Sequence, residues 1–283
     1  MSETTPTSFT CDLCGGTEAS LFLEKRGARY LRCPECDFVF SDQGPEAGGA
    51  ANHAYFEKAL ATYVAKAYSA KKQRAYRGKL RAFEPYRKTG RFLEVGCNVG
   101  GLLYQAREMG WNVQGVEPVE ACARWAREGH GLDVQACFLE DADLEEGAFD
   151  VVYSNAVLEH LPHPGRVIAR MGRLVRPGGV VFADTVNVDS YTWDFVGPDW
   201  KLVDPQVHLC LYTPRTLRRY CEEAGLRVVK VSTHGVRFRP NHAPALSGGA
   251  RLMEEMRKLP WSLKTRYSLR GDSIAILAER PLT

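Results

Sequence analysis

No run in this 283-residue chain approaches the roughly 18 apolar residues needed to cross a bilayer, so no membrane-spanning helix is expected. Charge of neither sign dominates: 37 Lys and Arg against 34 Asp and Glu leave a net +3. A balance so near neutral argues neither for nor against a nucleic-acid partner. The opening, MSETTPTSFT, has no basic n-region and no apolar h-region, so a secretory leader is not expected. Internal repeats are also absent. Cysteine is not scarce, but nine is an odd number in a long chain and does not suit a secreted disulfide scaffold. A reducing, cytoplasmic location is the expectation.

Four of the nine are patterned. CDLC (11–14) and CPEC (33–36) are two C-x2-C pairs with 18 residues between them. Each pair can clasp one side of a tetrahedral Zn2+, and the spacing is that of a zinc ribbon. Gly15-Gly16 and Pro34 supply the turns such knuckles need. Cys11, Cys14, Cys33 and Cys36 are therefore the predicted zinc ligands. With no position left for water the site would be structural, and the metal would supply much of the folding energy of residues 1–42. Cysteines 97, 122, 137, 210 and 221 lack such spacing and are expected in the core.

Residues 41–52, SDQGPEAGGAAN, read as a linker. Between 53 and 88, Tyr55, Ala59 and Tyr63, then Tyr68, Lys72 and Tyr76, recur at helical spacing. Residues 43–90 are thus expected to be a linker followed by a helical lid segment. From 91 strand-like runs (91–96, 112–117, 149–154, 179–184) alternate with helix-like ones (100–110, 119–129, 163–175). That order predicts an α/β fold, a doubly wound, mostly parallel sheet covered by helices. Thr213, Pro214 and Gly225 bracket a further helix. Strands at 226–232 and 272–279 close the domain, 91–283, with insertions at 186–212 and 235–270, the latter read as irregular.

The first run ends in the turn FLEVGCNVGG (92–101). Ligands of open parallel sheets sit at the carboxyl ends of strands, near helix N-termini. Gly96 permits an unusual backbone angle at that end, and Gly100 and Gly101 let the next helix start close to a ligand. Asn98 tolerates the left-handed region better than most residues. Glu117 follows Gly96 by 21 residues, the spacing at which a carboxylate meets a ribose diol. A nucleoside is implied. The dinucleotide fingerprint G-x-G-x-x-G is not matched, and Glu94 would be out of place beside a pyrophosphate.

LEVGCNVGG and GVEP resemble the first two motifs of the class I S-adenosylmethionine-dependent methyltransferases. FDVVYSNAVLEHLPHP and LVRPGGVVFADTVN resemble the segments around their fourth and fifth strands. The resemblance covers about 91–234 and the last strand. It implies a seven-stranded Rossmann-like sheet whose last strand is antiparallel, with S-adenosylmethionine lying over the first two strands. Carried over residue by residue, it places Glu94, Gly96 and Gly100 at the methionine end and Glu117 at the ribose. The adenine would lie near Cys137–Leu139, hence Phe138, and Asn155 at the end of the fourth strand is a further cofactor contact. The Gly-x-Asn-x-Gly turn is similar to that of sugar C-methyltransferases.

A hydroxyl acceptor needs a base, and histidine is suited to the task. His160, in VLEHLPHP, follows the fourth strand. His208, in DPQVHLCLYTP, follows an insertion rich in aromatics (Tyr191, Trp193, Phe195, Trp200), and HL with an aromatic and Thr-Pro resembles a group that includes the ubiquinone O-methyltransferases. Tyr212 and Asn187 are further polar candidates. The expected activity is methyl transfer to a small-molecule acceptor, a sugar or natural-product hydroxyl, with a histidine base; C-methylation remains an alternative. A second reading, methylation of an RNA base, rests on similarity to zinc-containing rRNA guanine methyltransferases. Those complete their metal site with a histidine where this chain has Cys36, so nucleic acid is the less expected partner. A third is a silent scaffold whose ribbon binds a protein.

Overall fold

The computed structural model describes residues 9–43, 58–240 and 243–282. Most of the linker, Tyr55 and the start of the lid segment lie outside these residues. Two sheets organise the chain. The larger has seven strands: β4 (Arg91–Val95), β5 (Asn112–Val116), β6 (Asp133–Gln135), β7 (Phe149–Asn155), β8 (Val175–Val186), β10 (Arg227–His234) and β11 (Ser273–Glu279). Their spatial order is β10-β11-β8-β7-β4-β5-β6. β4, β5, β6, β7 and β8 pair in parallel, and β11 is antiparallel to both neighbours.

Alternation along β4 explains why both faces need cover. Phe92, with Val151 and Tyr153 of β7, points to one side, while Leu93, Val95 and Val152 point to the other. On the first side lie α2 (Ala70–Leu80), α3 (Gly101–Glu108) and α4 (Glu120–His130). On the other are α5 (Pro164–Leu174) and α7 (Pro214–Glu223). α7 starts as expected: Thr213 and Thr216 form a reciprocal capping box, with Pro214 in the first turn. α4 runs one residue past Gly129, because Gly131 at φ +59° is the residue that ends it.

Residues 58–67 form α1. Its end and α2 rest on the glycine turn: the Tyr68 hydroxyl donates to the Val99 carbonyl (2.7 Å), and Gln73 Nε2 donates to those of Ala67 and Gly101 (2.9 and 3.0 Å). A 3-10 turn, Arg81–Tyr86, brings the chain to the sheet, where Asp150 fastens it. Asp150 Oδ2 accepts the N–H groups of Lys88, Thr89 and Gly90 (2.9, 2.8 and 2.6 Å), and Oδ1 takes Nε of Arg176. Burial alone would raise this carboxyl; Arg176 and the Lys88 and Gly90 amides hold it below its ordinary value. Asp150→Ala strands the buried guanidinium and three donors, so it is expected to cost about 3–5 kcal/mol, read as a lower denaturant midpoint at unchanged m.

The second sheet contains β1 (Ser20–Lys25), β2 (Ala28–Arg32), β3 (Val39–Ser41) and β9 (Cys210–Leu211), in that order. β9 comes from the 186–212 insertion and pairs with β3 through Val39↔Leu211 and Phe40↔Cys210. A boundary at residue 42 therefore cuts a sheet completed by a strand from far down the chain. The insertion also holds α6 (Tyr191–Val196), and its Trp200 is fully buried with Tyr30, Val39 and Leu211. Of the insertion's aromatics Tyr191 and Trp200 are buried, Trp193 is half-buried and Phe195 is exposed.

One expectation is overturned outright. Residues 235–270 are not irregular: α8 (Gly248–Ser268) occupies 21 of them. Gly248, Gly249 and Pro260 read as breakers, yet the two glycines stand at the helix start and Pro260 is accommodated within it.

Candidate active site

Gly96 ends β4 with φ +70°, and a Cβ there would run into Val157. Gly100 caps α3 at φ +74°, and a Cβ would lie 2.5 Å from Leu132 and 3.1 Å from Ala126. Both glycines thus admit neighbouring loops as well as an unusual angle. Asn98, at φ +49°, completes the bend and steadies it by accepting the Val99 N–H on Oδ1 (2.8 Å).

Two carboxylates flank the bend. Glu117, just past β5, accepts the Asn98 N–H on Oε2 (2.8 Å) and the Val119 N–H on Oε1 (2.9 Å). Burial raises its pKa and those two amides oppose the rise. Each oxygen keeps a second lone pair for a further donor. Glu94, buried on β4, is in a different state: its Oε2 has no hydrogen-bond partner. Burial, then the nearby Glu117 charge, push its carboxyl well above the ordinary range. Asn155 is exposed at the end of β7, its Oδ1 3.4 Å from Lys79 Nζ, and Phe138 is exposed after β6.

Val157, which packs on Gly96, leads into a 3-10 turn, Leu158–His160, that carries a second group of side chains. His160 and His208, 48 residues apart, meet with ring centroids 4.8 Å apart and planes at 81°. His160 Nδ1 lies 2.9 Å from the Val207 carbonyl, and His208 Nδ1 lies 2.6 Å from that of Leu202. A carbonyl only accepts, so each Nδ1 carries the proton and Nε2 becomes the basic nitrogen. Burial pushes the His208 pKa below its ordinary value, and the Glu159 charge partly restores it. Glu159 completes the group: buried, it accepts the Thr185 hydroxyl (2.7 Å), and its carboxylate and the two imidazoles lie within 4.8 Å of one another. This set can take a proton, or hold a divalent cation with one face open. Sequence reasoning passed over Glu159, though its place beside His160 in LEH was the available signal.

Two polar candidates are corrected. Tyr212 is fully buried and its hydroxyl donates to the Leu158 carbonyl (2.9 Å); burial raises its pKa far beyond a useful base. Asn187 is likewise buried, its Nδ2 donating to the carbonyls of Asp189, Leu269 and Gly271. Both brace the loop instead of facing an acceptor.

In the small sheet Cys11 and Cys36 Sγ are 3.5 Å apart, as are Cys14 and Cys33, and all four lie within 4.8 Å. A Zn–S length of about 2.3 Å gives tetrahedral S–S edges of about 3.8 Å, close to these values. Gly15 (φ +76°) and Asp37 (φ +63°) turn the two knuckles, and the Gly16 N–H points at Cys14 Sγ (3.4 Å). The four cysteines could form a zinc site.

The strand order, with β11 reversed beside β8 and a glycine bend after the central β4, defines the class I S-adenosylmethionine-dependent methyltransferase fold. The family model described as a methyltransferase domain matches residues 66–231, and the chain belongs to that family. The match begins after the four cysteines. Among similar proteins are ubiquinone biosynthesis O-methyltransferases of Nitrosococcus oceani (30% identity, 53% of this chain and 68% of the relative) and Thiobacillus denitrificans (35%, 52% and 68%). A Thermotoga maritima structure described as a possible histamine N-methyltransferase shares the fold at TM-score 0.54 and 17% identity, covering 81% of this chain and 97% of that one. So does phosphoethanolamine N-methyltransferase 2 of Haemonchus contortus, solved with S-adenosylmethionine (TM-score 0.54, 18% identity, 74% and 52%). The chain is a methyltransferase that uses S-adenosylmethionine, and among the described residues no helix is long and apolar enough to cross a membrane.

Proposed function

We propose that this enzyme methylates a hydroxyl of a small molecule, a sugar or natural product, with His208 as the base, His160 beside it, and a zinc ion bracing residues 1–42. The observation that carries the reading is the meeting of the two imidazoles and Glu159, each Nδ1 tied to a carbonyl and each Nε2 basic. The ubiquinone-named relatives, themselves O-methyltransferases, support oxygen as the acceptor. When bound, S-adenosylmethionine supplies a methyl carbon activated by a positively charged sulfur. Glu94 fits such a ligand: a buried carboxylate with an unpartnered oxygen stands ready for a cation. Glu117 would take the ribose diol, Gly96 and Gly100 would form the floor, and Phe138 and Asn155 would border the adenosine. His208 Nε2 would take the hydroxyl proton as the acceptor oxygen is methylated, and Glu159 would stabilise the imidazolium.

The test is Glu94→Gln. Affinity for S-adenosylmethionine should fall at least ~10-fold, the scale of a charge-assisted contact. S-adenosylhomocysteine, which keeps the ammonium and lacks the sulfonium, says which charge Glu94 meets. Unchanged affinity for both removes Glu94 from the cofactor site.

The donor set also favours one second reading, in which a divalent cation on Glu159, His160 and His208 orients the acceptor. Metal analysis separates the two. One equivalent, lost in Cys→Ala variants, leaves the histidines as bases; a second, lost in His208→Ala, gives the site to the cation. RNA as substrate would instead show as a steep salt slope in filter binding.

A further inference from the structure

Six of the large apolar side chains exposed in this protein lie on α8: Leu252, Met253, Met256, Leu259, Leu263 and Tyr267, each 60–88% exposed. At 100° per residue they fall within an arc of about 120°, one continuous stripe. A contiguous exposed apolar patch of this kind marks an interaction surface. The opposite face is docked. Trp261 meets Tyr191 and Phe195 (ring centroids 4.8 and 5.0 Å apart), and the Thr265 carbonyl accepts the Thr233 hydroxyl (2.7 Å). The helix is held along the body with its apolar side outward.

Its charges are sorted too. Glu254 and Glu255 are both paired with Lys258 (3.3 and 2.8 Å), so the acidic groups are answered within the helix. None of the described ion pairs involves Arg251, Arg257 or Lys264, all exposed. Arg257 and Lys264 line one edge of the stripe, where the Arg257 guanidinium lies over Phe238 (4.3 Å) and Lys264 Nζ over Tyr191 and Trp261 (4.8 and 4.6 Å).

We propose that α8 is a membrane-surface helix that seats this enzyme on an anionic lipid bilayer, its apolar stripe in the interface and its arginines and lysine at the headgroups. A second copy of the chain is the weaker occupant. A two-fold antiparallel pair would set the Arg257 and Lys264 edge against itself, and Pro260 interrupts the seam. The inference is independent of the catalytic roles proposed above.

The experiment is flotation of the full-length protein with vesicles of equal parts phosphatidylglycerol and phosphatidylcholine, and with phosphatidylcholine alone. The expected result is binding to the first, reduced at 1 M salt and weak on the second. Met256→Ser with Leu259→Ser should weaken partition at least ~10-fold, since binding scales with buried apolar area, and Arg257→Glu with Lys264→Glu should do so on anionic vesicles. Thermal melting of the Met256→Ser, Leu259→Ser variant should match the parent, as both side chains are solvent-facing. Failure to float with either vesicle overturns the proposal. So does a concentration-dependent doubling of mass, by light scattering, that the Ser variant abolishes, because the stripe is then a dimer seam.

Discussion

Cys33→Ala is expected to lower the melting temperature by about 10 °C or more and to silence turnover, although the residue lies in a segment that the methyltransferase family match does not include. The reason is where the small sheet ends. Its fourth strand is Cys210–Leu211, two residues beyond His208. The Tyr30 hydroxyl donates to the His208 carbonyl (2.6 Å), Lys25 Nζ donates to the Pro198 and Val203 carbonyls (2.6 Å each), and Arg26 pairs with Asp204 (2.6 Å). The segment that carries His208 is thus clamped by β1 and β2, and these in turn hang on the cysteine knuckles. On the far side Asp12 Oδ2 accepts the Gly165 N–H at the start of α5 and the Tyr220 hydroxyl. Cys11, Leu13, Cys33, Cys36 and Phe38 belong to the same apolar cluster as Leu93 and Val152 of the central sheet. A structural zinc contributes several kcal/mol or more to the folding of its module. For a chain of this size each lost kcal/mol lowers the melting temperature by roughly 2–4 °C. Calorimetry, metal analysis and turnover should be read on one sample. Full turnover from protein shown to hold no zinc would detach the ribbon from the active site.

That coupling was not legible in the sequence, and the reason is physical. The large sheet announces itself locally in β4, β5, β7 and β8, mostly buried runs set off by helical stretches and glycines, so periodicity and punctuation are enough there; β6, the three residues Asp133–Gln135, offers no such run and was not legible. The glycine bend and Glu117 follow from spacing for the same reason. β9 has two residues and no propensity of its own; it is a strand only because β3 lies beside it. Glu159 was hidden by company, a carboxylate in a polar loop that becomes a buried acceptor once Thr185 is packed against it. Tyr212 and Asn187 misled in the opposite sense, because a polar side chain near a strand end looks the same whether it faces a ligand or ties backbone carbonyls. α8 was missed through its breakers, Gly248, Gly249 and Pro260, although Leu252, Met256, Leu259 and Leu263 already stood at helical spacing.

His208→Ala should cut kcat by about 10²–10⁴-fold while leaving the affinity for S-adenosylmethionine nearly unchanged, because a positioned base acts on the acceptor proton and not on the cofactor. The pH profile gives the finer test. Burial depresses the His208 pKa below its ordinary 6.5, so the neutral imidazole persists into mildly acid solution. In the native enzyme kcat should therefore reach its plateau below pH 6.5 and fall only in more acid solution. Stability carries the same signature. Between the depressed folded pKa and the unfolded value the unfolded chain binds more protons, so stability falls as pH drops from about 6.5. That acid-side slope should flatten in the Ala variant. His160→Ala should lower kcat less, since its ring supports His208 from the side at 81°. A cation on the same nitrogens predicts otherwise: the acid limb would move with metal concentration, and added divalent ion would restore native turnover after chelation. Unaltered turnover in His208→Ala would take the histidine out of the mechanism, whatever becomes of the glycine bend.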